Sequence, residues 1–285
     1  MRSLRIFRPL NLIFLVALQW STFYFLNFDI QPAPIWLPEL VILISSTVLL
    51  AAMGYLINDW YDVQADEVNK PRKVFIRHWT DRQVLITFLL GNVLAIAGGW
   101  YLGQRWGVMF TGIAVLLWLY SIKAKHLPFA GNLIISWFGA LSVYIVFDVF
   151  QFQSKSFVVF FAVLSAAFTL LRELAKDIED IPGDAKAGYS TFPVLVGFER
   201  ARTLLLSLTV FIGVMYTIFQ YNWIAPIFDG KLLLIFVAYQ LICILLPILV
   251  LIIRIFSARS YRDMTAISRL FKYVMATGML SMLFF

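Results

Sequence analysis

The chain has 285 residues, of which 61% are hydrophobic and only 14% charged, with mean hydropathy +0.85 and a formal net charge of +7. A water-compatible exterior cannot be built from that composition, which excludes a soluble globular domain. The single cysteine, Cys243, falls inside an apolar run and excludes intrachain disulfides.

Apolar runs long enough to cross about 30 Å of hydrocarbon recur from end to end. They predict an all-α, polytopic membrane protein, a single transmembrane domain over residues 1–285. Nine spans are expected, over 10–28, 35–57, 83–102, 106–121, 130–149, 156–174, 203–221, 231–253 and 267–284. The first follows Arg2, Arg5 and Arg8; it is too long for a signal-peptide core and no small-residue cleavage pattern follows, so it reads as a retained helix. Residues 103–107 leave a very short connection between the third and fourth spans, and the fourth is short for a full crossing. Residues 58–82 and 175–202 read as the two long polar loops.

With the N-terminus inside, twenty of the 23 Lys and Arg residues fall on the cytoplasmic side, and only Arg105, Lys155 and Lys231 fall outside. This split predicts a cytoplasmic N-terminus and an external C-terminus, with a cell membrane as the default location. It also accounts for the positive charge through helix ends and anionic lipid headgroups, and no nucleic-acid module is visible. Twelve of the sixteen acidic residues share that inner face, which orientation does not require.

The first acidic cluster is Asn58-Asp59-Trp60-Tyr61-Asp62-Val63-Gln64-Ala65-Asp66, at the inner end of the second span. On a continuous helix Asp59, Asp62 and Asp66 fall on one face. The second cluster follows the sixth span, where Asp177, Asp180 and Asp184 repeat the same spacing. Pro182 and Gly183 are expected to end the helix there, with Asp184 reaching in from a turn. Stripes of carboxylates repel one another and are costly beside a bilayer; a divalent cation removes that cost. Carboxylates, completed by phosphate oxygens, suit Mg²⁺. Cations accompany both clusters: Lys70, Arg72 and Lys73 follow the first, Arg172 and Lys176 precede the second, and Lys123 and Lys125 follow Tyr120. Acids for metal and bases for phosphate on one face predict a metal–diphosphate site.

These residues resemble the UbiA-type intramembrane prenyltransferases. Asn58, Asp59, Asp62 and Asp66 match that family's N-D-x-x-D-x-x-x-D, and Asp177, Asp180 and Asp184 match its second element. Arg8-Pro9-Leu10-Asn11 looks like its R-P-x-N entry, Tyr120-Ser121-Ile122-Lys123 like its Y-x-x-K, and Gly131-Asn132 like the following G-N. The resemblance implies helices around a central cavity, Mg²⁺ held by Asn58, Asp59, Asp62, Asp66, Asp177, Asp180 and Asp184, and a bound polyprenyl diphosphate. It implies diphosphate contacts from Asn58, Lys70, Arg72, Lys73, Tyr120, Lys123, Arg172 and Lys176, with Asn11 lining the same cavity. Among these, Asp59, Asp62, Asp177, Asp180 and Lys123 are the expected catalytic residues. One departure stands out: Lys73 replaces the family's Arg and a Pro-rich turn is lost, so charge is kept without a bidentate fork, and Arg72 shares the role.

The run from Arg172 to Asp184 is most similar to the branch that prenylates geranylgeranylglyceryl phosphate, which implies transfer of a geranylgeranyl group to a glyceryl phosphate hydroxyl. Aromatic acceptors of the 4-hydroxybenzoate or dihydroxynaphthoate type are the alternative, and chlorophyll synthases share the N-D-W-Y-D first motif. No protein partner is expected. A cation-coupled transporter is the competing class, but its acids belong near the membrane midplane, whereas both clusters lie at inner helix ends. A membrane terpene cyclase shares the metal chemistry and differs in needing no acceptor.

Overall fold

Proline sets the start of the first two long helices. Pro9 and Pro38 occupy the first turn of α1 (Pro9–Leu26) and α2 (Pro38–Tyr61), where a missing N–H costs no intrahelical bond. The structure, a computed structural model, describes residues 3–27, 37–69, 74–152 and 154–285. After α2 come α3 (Val63–Asn69), α4 (Asp81–Leu102), α5 (Gln104–Ile122) and α6 (Ala130–Phe150). The second half holds α7 (Lys155–Lys186), α8 (Phe192–Val196), α9 (Phe198–Phe219), α10 (Gly230–Tyr239), α11 (Leu246–Ser257) and α12 (Asp263–Leu280). No strand occurs among the described residues.

Local chemistry explains several boundaries. Thr80 and Gln83 form a reciprocal capping box that starts α4. Gly103 alone joins α4 to α5, at φ 144°, a conformation that only glycine adopts without strain. The one-residue joint folds the two helices back on each other, and α5, at 19 residues, is about 28 Å long, enough by length and composition to cross a membrane. Two helices widen into π-turns, at Gln220–Ile224 after α9 and at Gln240–Leu245 between α10 and α11.

Helices α6 and α7 pack along each other, as do α2 and α4, while α12 lies against α7. The buried stripe of α7 includes Leu171, Leu174, Ala175 and Ile178, at the spacing of one helix face. Outward faces are apolar instead of polar: α4 exposes Leu85, Ile86, Leu89, Leu90, Val93 and Leu94. Only a hydrocarbon solvent accommodates such a surface. Among the described residues, eight helical segments are long and apolar enough to cross a membrane. The chain is an integral, multi-pass membrane protein. The segment expected as a ninth span is helical, but α12, which carries Asp263, Arg269 and Lys272, is not among these eight.

Three expectations need correction. Much of 58–82 and 175–202 is helical, with α3, a 3₁₀ turn at Phe75–His78 and α8 in place of loop. Helix α7 runs through Pro182 and Gly183 to Lys186, so Asp184 sits on the helix. Pro182 is tolerated because it lies within two turns of the helix end, where little of the hydrogen-bond ladder remains to be broken. The first acidic motif is not one uninterrupted helix either: Asp62, at φ −92° and ψ 6°, is a turn residue between α2 and α3. The ladder still passes through it, since its N–H donates to the Asn58 carbonyl and its own carbonyl accepts from Asp66.

Candidate metal and diphosphate site

The two acidic motifs are clasped together by Asn69. Its Nδ2 donates to the Asp180 carbonyl at 3.0 Å, and its Oδ1 accepts from the Gly183 N–H at 2.8 Å. Gly183 is required for this approach: a Cβ there would meet the Asn69 side chain, and the Ala65 carbonyl oxygen at 2.6 Å. At the other end of the first motif, Trp60 Nε1 donates to Asp81 at 2.9 Å and ties α2 to the start of α4.

The clasp closes one side of a cavity of about 840 Å³ between α1, α2, α5, α6, α7 and α12. Its mouth is lined by Asn58, Asp59, Asp62, Asp66, Asp177, Asp180 and Asp184, so every metal ligand expected from the sequence faces one space. Asn11, Tyr120, Arg172 and Lys176 line it as well. Lys123 does not: it is exposed at the end of α5, and the 3₁₀ turn Ala124–His126 delivers Lys125 in its place. Lys70, Arg72 and Lys73 lie outside the described residues.

The carboxylates at the mouth are matched by local partners. Arg8 donates to Asp59 at 2.6 Å and stacks its guanidinium 4.8 Å from the Tyr55 ring centre. Burial alone would lower the Arg8 pKa, but the charges of Asp59 and Tyr55 outweigh it and hold the guanidinium above its ordinary range. Arg8 adopts this position in a left-handed backbone conformation, φ 49°, a strain that sits at the site itself. Lys125 Nζ lies 2.6 Å from Asp62 and 3.1 Å from the Asn58 side-chain oxygen. Burial lowers the Lys125 pKa, against the pull of Asp62 in the other direction. The Tyr189 hydroxyl donates to Asp62 at 3.4 Å, and burial with the Asp62 charge raises its pKa. Asn132 Nδ2 donates to Asp177 at 2.7 Å. Glu173 holds both Arg172 and, at 2.8 Å, Lys176.

Lys125, Arg8, Tyr55, Asn132, Tyr189, Glu173, Lys272 and His126 therefore join the site beyond the residues assigned from sequence. Arg8 and Asn132 fall within motifs already quoted, and Lys125 adjoins one. Tyr189 carries no sequence signal; it reaches the site because its ring stacks on His126, 3.7 Å between centres. His126 is held below the ordinary histidine range by burial, aided by the Lys125 charge. Asp148, outside both clusters, pairs with Arg105 at 2.8 Å and accepts from Trp106 at 3.0 Å at the opposite end of the bundle.

The donor set fits a hard divalent cation: six carboxylates and a carboxamide, oxygen donors without thiol. Among the described residues no three of them already form a closed cage. The acids stand on opposite walls, an arrangement suited to a metal whose remaining ligands are phosphate oxygens. Below the mouth the walls turn apolar, with Phe14, Leu18, Leu50, Ile113, Leu117, Ile135 and Phe138 lining the interior. A charged head and a long apolar tail are what such a cavity can hold.

Comparison with known proteins agrees with this geometry. Residues 12–273 match the UbiA prenyltransferase family. A digeranylgeranylglyceryl phosphate synthase from Methanospirillum hungatei is 30% identical over 193 residues, covering 65% of this chain and 67% of that one. The Halobacterium salinarum protein of the same name is 28% identical over 239 residues, covering 80% and 78%. The Pyrococcus abyssi protein of that name is 32% identical over 149 residues, and there the match spans only 53% of the relative's length. Among solved structures, a digeranylgeranylglyceryl phosphate synthase superposes with a TM-score of 0.67 at 19% identity, over 99% of this chain and 96% of that one. A UbiA homologue from Archaeoglobus fulgidus, bound to GPP and Mg²⁺, gives 0.64 at 16% identity over 99% of each. The shared fold and the match across most of the sequence make this chain a member of the UbiA prenyltransferase family.

Proposed function

We propose that the chain transfers a polyprenyl group, geranylgeranyl, from its diphosphate to the hydroxyl of a lipid glyceryl phosphate, with Mg²⁺ as cofactor and diphosphate as leaving group. The observation that carries this reading is the meeting of two Asp motifs at one mouth of one cavity that is apolar below. The relatives' names supply the acceptor class. The whole chain acts as one membrane domain, with the N-terminus in the cytoplasm, the C-terminus outside and the acidic mouth on the cytoplasmic face of a cell membrane.

Asn58, Asp59, Asp62 and Asp66 from one wall and Asp177, Asp180 and Asp184 from the other hold Mg²⁺ with the donor's diphosphate. Mg²⁺ bound there supplies neutralisation of the leaving group's charge. Lys125, in place of Lys123, and Arg8 exchange their carboxylate partners for phosphate oxygens, with Tyr120 beside them. As the C1–O bond breaks, the oxygen keeps the electron pair and C1 takes on positive charge. Tyr55 and Tyr120 line the same cavity, and the helical walls keep out the water that would otherwise capture C1. The acceptor's hydroxyl oxygen then bonds to C1, gives up its proton to the departing diphosphate and forms an ether.

Purified protein with Asp59→Ala, Asp62→Ala or Asp177→Ala is expected to lose prenyl transfer by at least about 100-fold, as is the intact protein in EDTA. Product mass spectrometry with geranylgeranylglyceryl phosphate, 4-hydroxybenzoate and dihydroxynaphthoate separates the acceptor classes. Unchanged turnover in all three variants would sink the assignment.

A further inference from the structure

The cations around the cavity divide into two groups. Arg8 and Lys125 each sit against a carboxylate of the first motif, one charge to one charge. The second group is unbalanced. Arg172 and Lys176, one turn apart on α7, share the single carboxylate of Glu173. Across from them on α12, Lys272 lines the same cavity and donates at 2.8 Å to Asn11, an uncharged amide oxygen. Three cations share the one carboxylate in contact with them, an excess of about one to two positive charges on the α1–α7–α12 side, the lower figure counting Asp177 beside Lys176. Arg172 adds a second sign: its Nε is buried and has no hydrogen-bond partner among the described residues.

An excess of that size, with an unsatisfied guanidinium donor and two ammonium groups, matches a phosphate monoester, which carries about −1.5 to −2 near neutral pH and three acceptor oxygens. The diphosphate does not need these groups, since the acidic mouth has its own pair of cations. Arg172 also lies more than a helical turn before Asp177, about 7 Å deeper along α7. We propose that Arg172, Lys176 and Lys272 form a second anion site, distinct from the Asp-lined mouth, that binds the phosphate of the acceptor and so selects a phosphorylated lipid alcohol. This rests on the prenyl-transfer reading above. It moves Arg172 and Lys176 from the donor to the acceptor and adds Lys272, which no motif marks. Holding the acceptor by its phosphate fixes how far its hydroxyl reaches toward C1.

The test uses the full-length protein in liposomes with Mg²⁺ and geranylgeranyl diphosphate, and compares geranylgeranylglyceryl phosphate with phosphate-free geranylgeranylglycerol. The unmodified protein should prefer the phosphorylated acceptor. Lys272→Met should raise the KM for that acceptor by about tenfold or more while the donor KM stays within about twofold, which erodes the preference. Lys272→Arg should restore most of it, and Lys176→Met should follow Lys272→Met. A rise in donor KM with no change in acceptor preference would return these cations to the diphosphate and overturn the site alone. Failure of the unmodified protein to prenylate either glycerol lipid, with turnover of 4-hydroxybenzoate, would instead overturn the acceptor reading itself.

Discussion

Lys123 and Lys125 are two positions apart, yet only Lys125 faces the cavity. Helix α5 ends at Ile122, and Lys123, at φ −138° and ψ −47°, has already left the helix, so its side chain goes to solvent. The short turn that follows swings Lys125 inward to Asp62. Lys125→Met is expected to lower kcat/KM by about 100-fold, and Lys123→Met to leave it within about twofold, with melting temperatures recorded for both. Equal losses in steady-state prenyl transfer would contradict this placement. At this scale the convergence of the seven proposed metal-binding residues on one cavity was legible, because carboxylates at helical spacing, doubled in one oily chain, have few other uses. The choice between two lysines was not legible, because a three-residue turn has no periodicity to read. Nor was the left-handed Arg8 backbone, since nothing in an arginine announces it.

At the scale of elements, the site depends on how closely α3 and α7 approach. That distance is set by Asn69 and by the missing side chain of Gly183. Gly183→Ala puts a methyl group against the Ala65 carbonyl oxygen, so backbone must move. It should destabilise the protein by about 1–3 kcal/mol and lower prenyl transfer by spreading the acidic walls. Thermal unfolding in detergent together with the Mg²⁺ concentration for half-maximal activity reads both effects; a lowered melting point with unaltered Mg²⁺ dependence would uncouple the clasp from the site. Proline and glycine together at 182–183 look like a helix stop in the sequence, and that reading misled. Pro182 does weaken the ladder, but the helix end is stabilised from outside by Asn69, a tertiary contact invisible to local pattern. Turn chemistry in the sequence is a statement about the chain alone, and this helix end is not alone.

For the whole molecule, the run of apolar segments was legible to within about five residues at every end but that of α7, because bilayer thickness imposes a length that few other constraints disturb. Segment limits fell short where polar sequence continues as helix, as in α7, which is 32 residues long and extends about 48 Å. The polar C-terminal half of that helix is what carries the second motif to the first. Topology is the remaining whole-molecule question, and it has a direct measurement. In a Cys243→Ser background, Glu199→Cys should react with an impermeant thiol reagent only from the cytoplasmic side, and Lys231→Cys only from the opposite side. Labelling of both from one side of sealed vesicles would reverse or break the proposed orientation.

The pairing of charges at the mouth has a consequence in the language of ionic strength. Arg8 with Asp59 and Lys125 with Asp62 close their fields over 2.6 Å each, far inside the screening length of about 8 Å in physiological salt. For these two cations, passing from carboxylate to phosphate is an exchange of partners at constant charge, and dissolved ions have little hold on that step. The cluster of Arg172, Lys176 and Lys272 is different, because its excess charge sends a field into the cavity and toward its opening. Added salt therefore weakens the hold of these three cations on a phosphorylated acceptor more than the hold of Arg8 and Lys125 on the diphosphate, so the two sets of cations in one cavity part company along the salt axis.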